Sequence, residues 1–126
     1  MIFCIPVGPD GQVGHGWGRA QAVALATVDQ AGKVAEWLVH QVGWGESHDD
    51  GTEGSHHARI VRFLREHQVG CVVVEHMGPG MQRVMTAMRI PTFLGASGSA
   101  RACVERAAAI LANEHGTGPD RANRPN

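Results

Sequence analysis

Apolar residues run almost unbroken through Ile2 to Val7 and again through Val69 to Val74. Runs of this length without polar alternation predict strands covered on both faces, so Ile2 to Val7 belongs at the centre of a sheet. Between them, Ala22 to Val28 sets Val23, Leu25 and Thr27 against small residues, and Lys33 to Val42 follows across the turn Asp29-Gln30-Ala31-Gly32. The pair predicts an antiparallel hairpin. Val34, Trp37, Leu38 and Gln41 also fit helical spacing, but the glycine-containing turn before them and the Val and Trp content favour strand. From about 55 to 67 the period changes to that of a helix, with His57, Ile60, Val61 and Leu64 sharing an inward face and His56 to the side. Arg59, Arg62, Arg65 and Glu66 fall on its outer side.

Gly78-Pro79-Gly80 closes the second apolar run and opens another helix through Met81 to Arg89, with Pro79 at a position that suits a first helical residue. Met81, Val84, Met85 and Met88 then share one face and read as core filler. Arg89 to Leu94 predicts a last strand, which Pro91 places at a sheet edge. An apolar stripe through Cys103, Ala107, Ile110 and Leu111 predicts a final helix from Ala100 to about Asn113. The order of elements predicts one α/β domain over residues 1–113, a mixed five-stranded sheet with three helices. The Gly, Pro and polar residues of 114–126 predict a flexible tail.

Composition narrows the function classes. Eleven Lys and Arg against twelve Asp and Glu leave a net charge of −1, and aromatics make up only 5% with no Tyr. Nucleic acid is therefore an unexpected partner, lacking both a basic footprint and stacking platforms. No run approaches the length of a membrane span, and the apolar start lacks a basic leader, so the expected location is cytoplasmic, without a membrane partner. Three cysteines at 4, 71 and 103, with no C-x-x-C pair, fit free thiols in a reducing compartment.

Eight histidines are the compositional oddity. Gly14-His15-Gly16-Trp17-Gly18-Arg19 is an irregular loop in which something approaches the backbone closely. The polar, glycine-punctuated stretch Gly43 to Gly54 reads as a loop or lid and delivers His48, and Ser55 as an N-cap then leads into His56 and His57. His76 and Met77 sit at the lip of the Gly-Pro-Gly junction, where helix N–H groups without intrahelical acceptors favour an anion. In α/β sheets ligands gather beyond the carboxyl ends of parallel strands, which makes Gly8 to Arg19, Glu75 to Gly80 and Gly95 to Ser99 the expected walls of one site. Trp17, Arg19, Gly78, Pro79 and Gly80 are the candidate cofactor contacts. His15, His48, His56, His57, His76 and Met77 are the candidate metal ligands, imidazole and thioether both suiting transition metals. The buried-strand cysteines are expected to be core residues.

Taken together, Ile5-Pro6-Val7 with its Asp-Gly turn, Trp17-Gly18-Arg19-Ala20, the His-bearing loop before the first helix, Val72-Val73-Val74 with Met77-Gly78-Pro79, and Phe93-Leu94-Gly95 resemble the dinitrogenase iron-molybdenum cofactor-binding family. The resemblance runs from Met1 to about Leu111. It departs at Gly16, where the family often has His and this chain carries His15 one position earlier. The resemblance implies a ribonuclease-H-like three-layer fold and a carrier of an anionic metal-sulfur cluster, either nitrogenase-associated or among relatives outside nitrogen fixation, with a cofactor donor or acceptor protein as the partner such a role would have; it does not imply catalysis. Alternatives are a simple His/Met transition-metal binder or metal-responsive regulator, and a protein-interaction module using exposed Trp17 and Trp44. Nuclease chemistry, which such folds also host, needs clustered carboxylates to hold hard cations; the first strand has none and the other buried strand ends on Glu75 alone.

Overall fold

The computed structural model of the chain describes residues 1–45 and 53–116. Its elements follow in the order β1 (Ile2–Pro6), β2 (Ala22–Val28), β3 (Val34–Gln41), α1 (Glu53–Glu66), β4 (Val69–Val73), α2 (Pro79–Ala87), β5 (Thr92–Phe93) and α3 (Ala100–Gly116). The strands form one mixed sheet in the order β3-β2-β1-β4-β5. β1 pairs antiparallel with β2 and parallel with β4, so the most apolar strand lies at the centre, as its pattern requires. Two helices cover one face and one covers the other. This is the α/β three-layer arrangement expected, and it is consistent with a ribonuclease-H-like fold.

Each face has its own core. On one, Phe3, Ile5, Cys71 and Val73 pack with Val104, Ala107 and Leu111 of α3. The alternation of β2 turns Ala22, Ala24 and Ala26 towards that helix, and short side chains there let α3 approach the sheet closely. On the other, Cys4, Val23, Leu25, Val72 and Val74 meet Ile60 and Leu64 of α1 and Met81 and Met85 of α2. The methionine stripe is core, as expected.

Several local expectations are corrected. α1 begins at Glu53, so Ser55 lies inside its first turn and is not the N-cap. Its inward stripe is His56, Ile60 and Leu64, spaced by four, whereas His57 is only half-buried. The last strand shrinks to two residues because α2 persists in a tight exit. Arg89 N–H donates to Thr86 O and Ile90 N–H to Met85 O, both at 3.0 Å, with Arg89 in the left-handed region at φ 59°. α3 runs on to Gly116, past the expected end near Asn113. Residues 117–126 of the expected tail lie outside the described residues. Among the described residues no helix is long and apolar enough to cross a membrane.

All three cysteines are free and buried. Cys4 and Cys71 sit on adjacent strands but face opposite cores. Burial pushes the Cys71 thiol up to about 12, slightly opposed by a backbone hydrogen bond with Val72, and pushes Cys4 higher still, from an ordinary value of 9.0. The unfolded chain therefore releases thiol protons above pH 9 that the folded chain retains. Stability should fall as pH rises past 9, by about 1.4 kcal/mol per pH unit for each of these thiols. With no Tyr and a single Lys in the chain the background is nearly flat, and urea titrations at pH 8, 9 and 10 will read the slope. A pH-independent midpoint would contradict it.

Candidate functional site

β1 and β4 are parallel neighbours whose onward connections part, one leading to β2 and the other to β5. A crevice outside the carboxyl ends of two such strands is where open α/β sheets hold ligands. Here it is a cavity of about 590 Å³ walled by three segments: His15 to Arg19 after β1, His56 and His57 on α1, and His76 with Gly78 to Met81 and Arg83 around the start of α2. Nearly all of the candidate residues are brought together in it.

The α2 wall presents groups whose polarity suits an anion. Gly78 is the N-cap residue and makes no side-chain cap. Pro79 has no N–H, so the donors left by the first turn are the amides of Gly80 and Met81, at the positive end of the helix dipole. Gln82 N–H closes the first helical bond on Gly78 O at 3.0 Å, and the Gln82 amide nitrogen donates to Met77 O at 2.7 Å, fixing the loop that precedes the helix. Arg19 and Arg83 supply cationic side chains from two segments. Among the described residues no carboxylate lines the cavity. The nearby Glu75 is engaged with His15, whose Nδ1 lies 3.0 Å from Glu75 Oε1, tying the β1 loop to the end of β4. A carboxylate on one ring nitrogen orients the imidazole and leaves Nε2 as the available ligand atom.

The loop carrying Arg19 is held from below. Trp17 is only 2% exposed and meets Trp44 edge-on, with ring centroids 5.1 Å apart, and Trp44 in turn meets Phe63 of α1 at 5.5 Å. Trp44 N–H donates to Ala20 O at 2.9 Å. At Gly18 the backbone passes so close to α1 that a Cβ would lie 3.3 Å from His56 Nε2. Close approach, not turn geometry, is the reason for glycine there.

Three expectations fail and one lies out of view. Met77 is not at the lip: it is 1% exposed, packed with Met81 and Met85 in the core, and unavailable as a ligand. Trp17 and Trp44 are buried packing residues, not exposed contacts. The turn Gly95 to Ser99 does not reach this site; Gly95 and Ala96 line a smaller cavity of about 140 Å³ beside α3. His48 lies outside the described residues. Arg83 was missed, although its position four residues after Pro79 and the lean of helical side chains towards the N-terminus put it over the first turn.

A second cavity of about 590 Å³ lies at the opposite end of the sheet, against Phe3, Val28, Ala108 and Leu111. Its acidic groups already serve structure: Asp29 accepts from the amides of Ala31 and Lys33, and Glu105 from that of Val34. The first cavity instead gathers arginines, imidazoles and the start of α2.

Residues 1–110 match the family model described as dinitrogenase iron-molybdenum cofactor. The chain belongs to that family. Among solved structures, the one titled "Crystal structure of PH0822" is similar with a TM-score of 0.68 and 16% identity, covering 87% of this chain and 90% of that one. At that identity the likeness supports the fold alone. A search of curated proteins gives no match. For a member of the dinitrogenase iron-molybdenum cofactor family, a cavity that gathers arginines and imidazoles, with no carboxylate among its described lining residues, is chemically suited to the group the family is named for.

Proposed function

We propose that this domain is a non-catalytic carrier or assembly-stage holder of an anionic metal-sulfur cargo of the iron-molybdenum type, bound in the cavity at the start of α2. The observation that carries the reading is the composition of that wall: a helix N-terminus without a side-chain cap, Arg19, Arg83 and the imidazoles of His15, His57 and His76, with His56 buried behind Gly18 and no carboxylate among the described lining residues. An anionic cluster is stabilised by backbone N–H groups and guanidinium, while imidazole supplies exchangeable bonds to its metals. A bare cation meets the opposite field, facing two arginines and the positive end of a helix. The interaction-module reading loses its basis with Trp17 and Trp44 buried. Among the described residues the wall offers no carboxylate as a hard-metal ligand or acid–base partner, which favours binding without catalysis.

The test is anaerobic loading of the purified chain with isolated iron-molybdenum cofactor, followed by desalting and analysis of molybdenum, iron and acid-labile sulfide. Metal and sulfide should be retained together. Arg19→Ala and His76→Ala should each weaken retention about tenfold or more, the size of a lost charge-assisted bond of about 1.5–3 kcal/mol, with circular dichroism unchanged. Arg101→Ala, on the α3 side, should retain as wild type. Stoichiometric retention of Cu²⁺ or Zn²⁺ alone with no cluster uptake would instead establish the simple binder.

A further inference from the structure

The two edges of the sheet are built differently. β5 is two residues long and preceded by Pro91, whereas β3 presents eight residues without Pro, and its outer side pairs with nothing among the described residues. Short strands and Pro, Lys or inward-facing charge protect an edge from pairing; β3 has only Glu36 within its span. Its backbone phase can be read from its neighbour. Val42 N–H donates to Gln21 O at 2.9 Å, and the register runs Val23↔His40, Leu25↔Leu38 and Thr27↔Glu36. Even-numbered residues thus turn their N–H and C=O groups towards β2, and Trp37, Val39 and Gln41 turn theirs outwards. Leu38 and Val39 are each 51% exposed, on opposite faces: Leu38 beside Leu25 on the α1 and α2 side, Val39 beside Ala24 on the α3 side.

We propose that β3 pairs antiparallel with the β3 strand of a second copy of this chain, about a two-fold axis at Leu38, joining two sheets into one of ten strands. Outward-turned groups meet only if odd-numbered residues oppose odd-numbered ones. Of the registers that satisfy this, the one centred on Leu38 sets Leu38 against the partner's Leu38 and Val39 against the partner's Trp37. It also sets Glu36 against the partner's His40, a carboxylate facing an imidazole, twice by symmetry. Centring on Trp37 would oppose Leu38 to the carboxylate of the partner's Glu36, and centring on Val39 would oppose Leu38 to the partner's His40. Only the Leu38 register covers both exposed apolar residues with apolar partners. A two-fold axis perpendicular to the sheet keeps both α1–α2 layers on one face and leaves the two cavities open at opposite ends. One strand pair buries less than the roughly 1,200–2,000 Å² of a standard stable interface, so the dimer is weak and reversible, with Kd on the order of tens of micromolar.

Sedimentation equilibrium of the full chain from roughly 5 to 500 µM reads this directly. The expected result is a monomer–dimer equilibrium that Leu38→Lys, placing two charges together across the axis, abolishes while circular dichroism is retained. Val39→Pro removes an outward N–H at a position where an edge strand tolerates Pro, and should act likewise. The Leu38 pair is of the non-hydrogen-bonded kind, with Cα atoms about 4.5 Å apart, within disulfide range. Leu38→Cys should therefore oxidise to a covalent dimer far faster than Lys33→Cys, against a background of buried native thiols. A wild-type monomer at the highest concentration, a dimer indifferent to Leu38→Lys, or equal cross-linking of the two cysteine variants would each overturn the proposal.

Discussion

Replacing Trp17 by Ala is expected to destabilise the domain by about 3–5 kcal/mol, the range for emptying a buried Trp or Phe site. Few substitutions in this chain should cost more, because the indole supports two things at once. It fills the core beneath the cavity against Trp44, itself edge-on to Phe63, and it anchors the loop whose next residues are Gly18 and Arg19. Against a typical stability of about 5–15 kcal/mol, the variant should unfold at much lower urea and retain little cluster even where it remains folded. Trp17→Phe separates packing from polarity. The indole N–H is buried with no hydrogen-bond partner among the described residues, so deleting it forfeits no bond there, and the smaller ring should recover most of the lost stability. Urea midpoints followed by circular dichroism decide the matter; a Trp17→Ala protein as stable as wild type would show that the indole is not part of the core.

Gly45→Ala should have the second largest effect. A Cβ at Gly45 would lie 2.8 Å from the backbone oxygen of Arg19, and a carbonyl in a braced loop cannot swing aside as a side-chain tip can. The neighbouring bond from Trp44 N–H to Ala20 O locks the same two segments together. Relief requires the Arg19 loop to shift as a body. The expected cost is about 1–3 kcal/mol, accompanied by weaker cluster retention, although Gly45 does not line the cavity. Retention and stability measured on one preparation will show both losses; loss of stability with normal retention would mean that the loop relaxes without moving Arg19.

The readable parts of the sequence were those with local causes. β1 and β4 announce themselves because strands buried on both faces must be apolar throughout, and the β2–β3 hairpin because its turn chemistry lies between two extended runs. The cavity's position followed from strand polarity, and Gly78-Pro79-Gly80 from the needs of a helix start. The errors came where direction is set by distant chain. Met77 follows two exposed residues and precedes a glycine, so nothing nearby says that the loop turns it back onto Met81. Trp17 and Trp44 are 27 residues apart and each, read alone, resembles a surface aromatic in a glycine-rich loop. His56 was recoverable: Ile60 and Leu64 are four apart, and extending that stripe back by four reaches His56 and passes over His57.

The cavity draws on three stretches, near residues 15–19, 56–57 and 76–83, that share no local structure and meet only when β1, α1 and α2 are all in place. No fragment of the chain contains the complete set of contacts. Occupancy is thereby tied to nativeness: whatever the cavity takes up tightens the whole fold through binding linkage, and damage to any one layer empties it. A half-folded copy is vacant instead of misloaded, so the architecture itself acts as an inspection step on which molecules can be occupied.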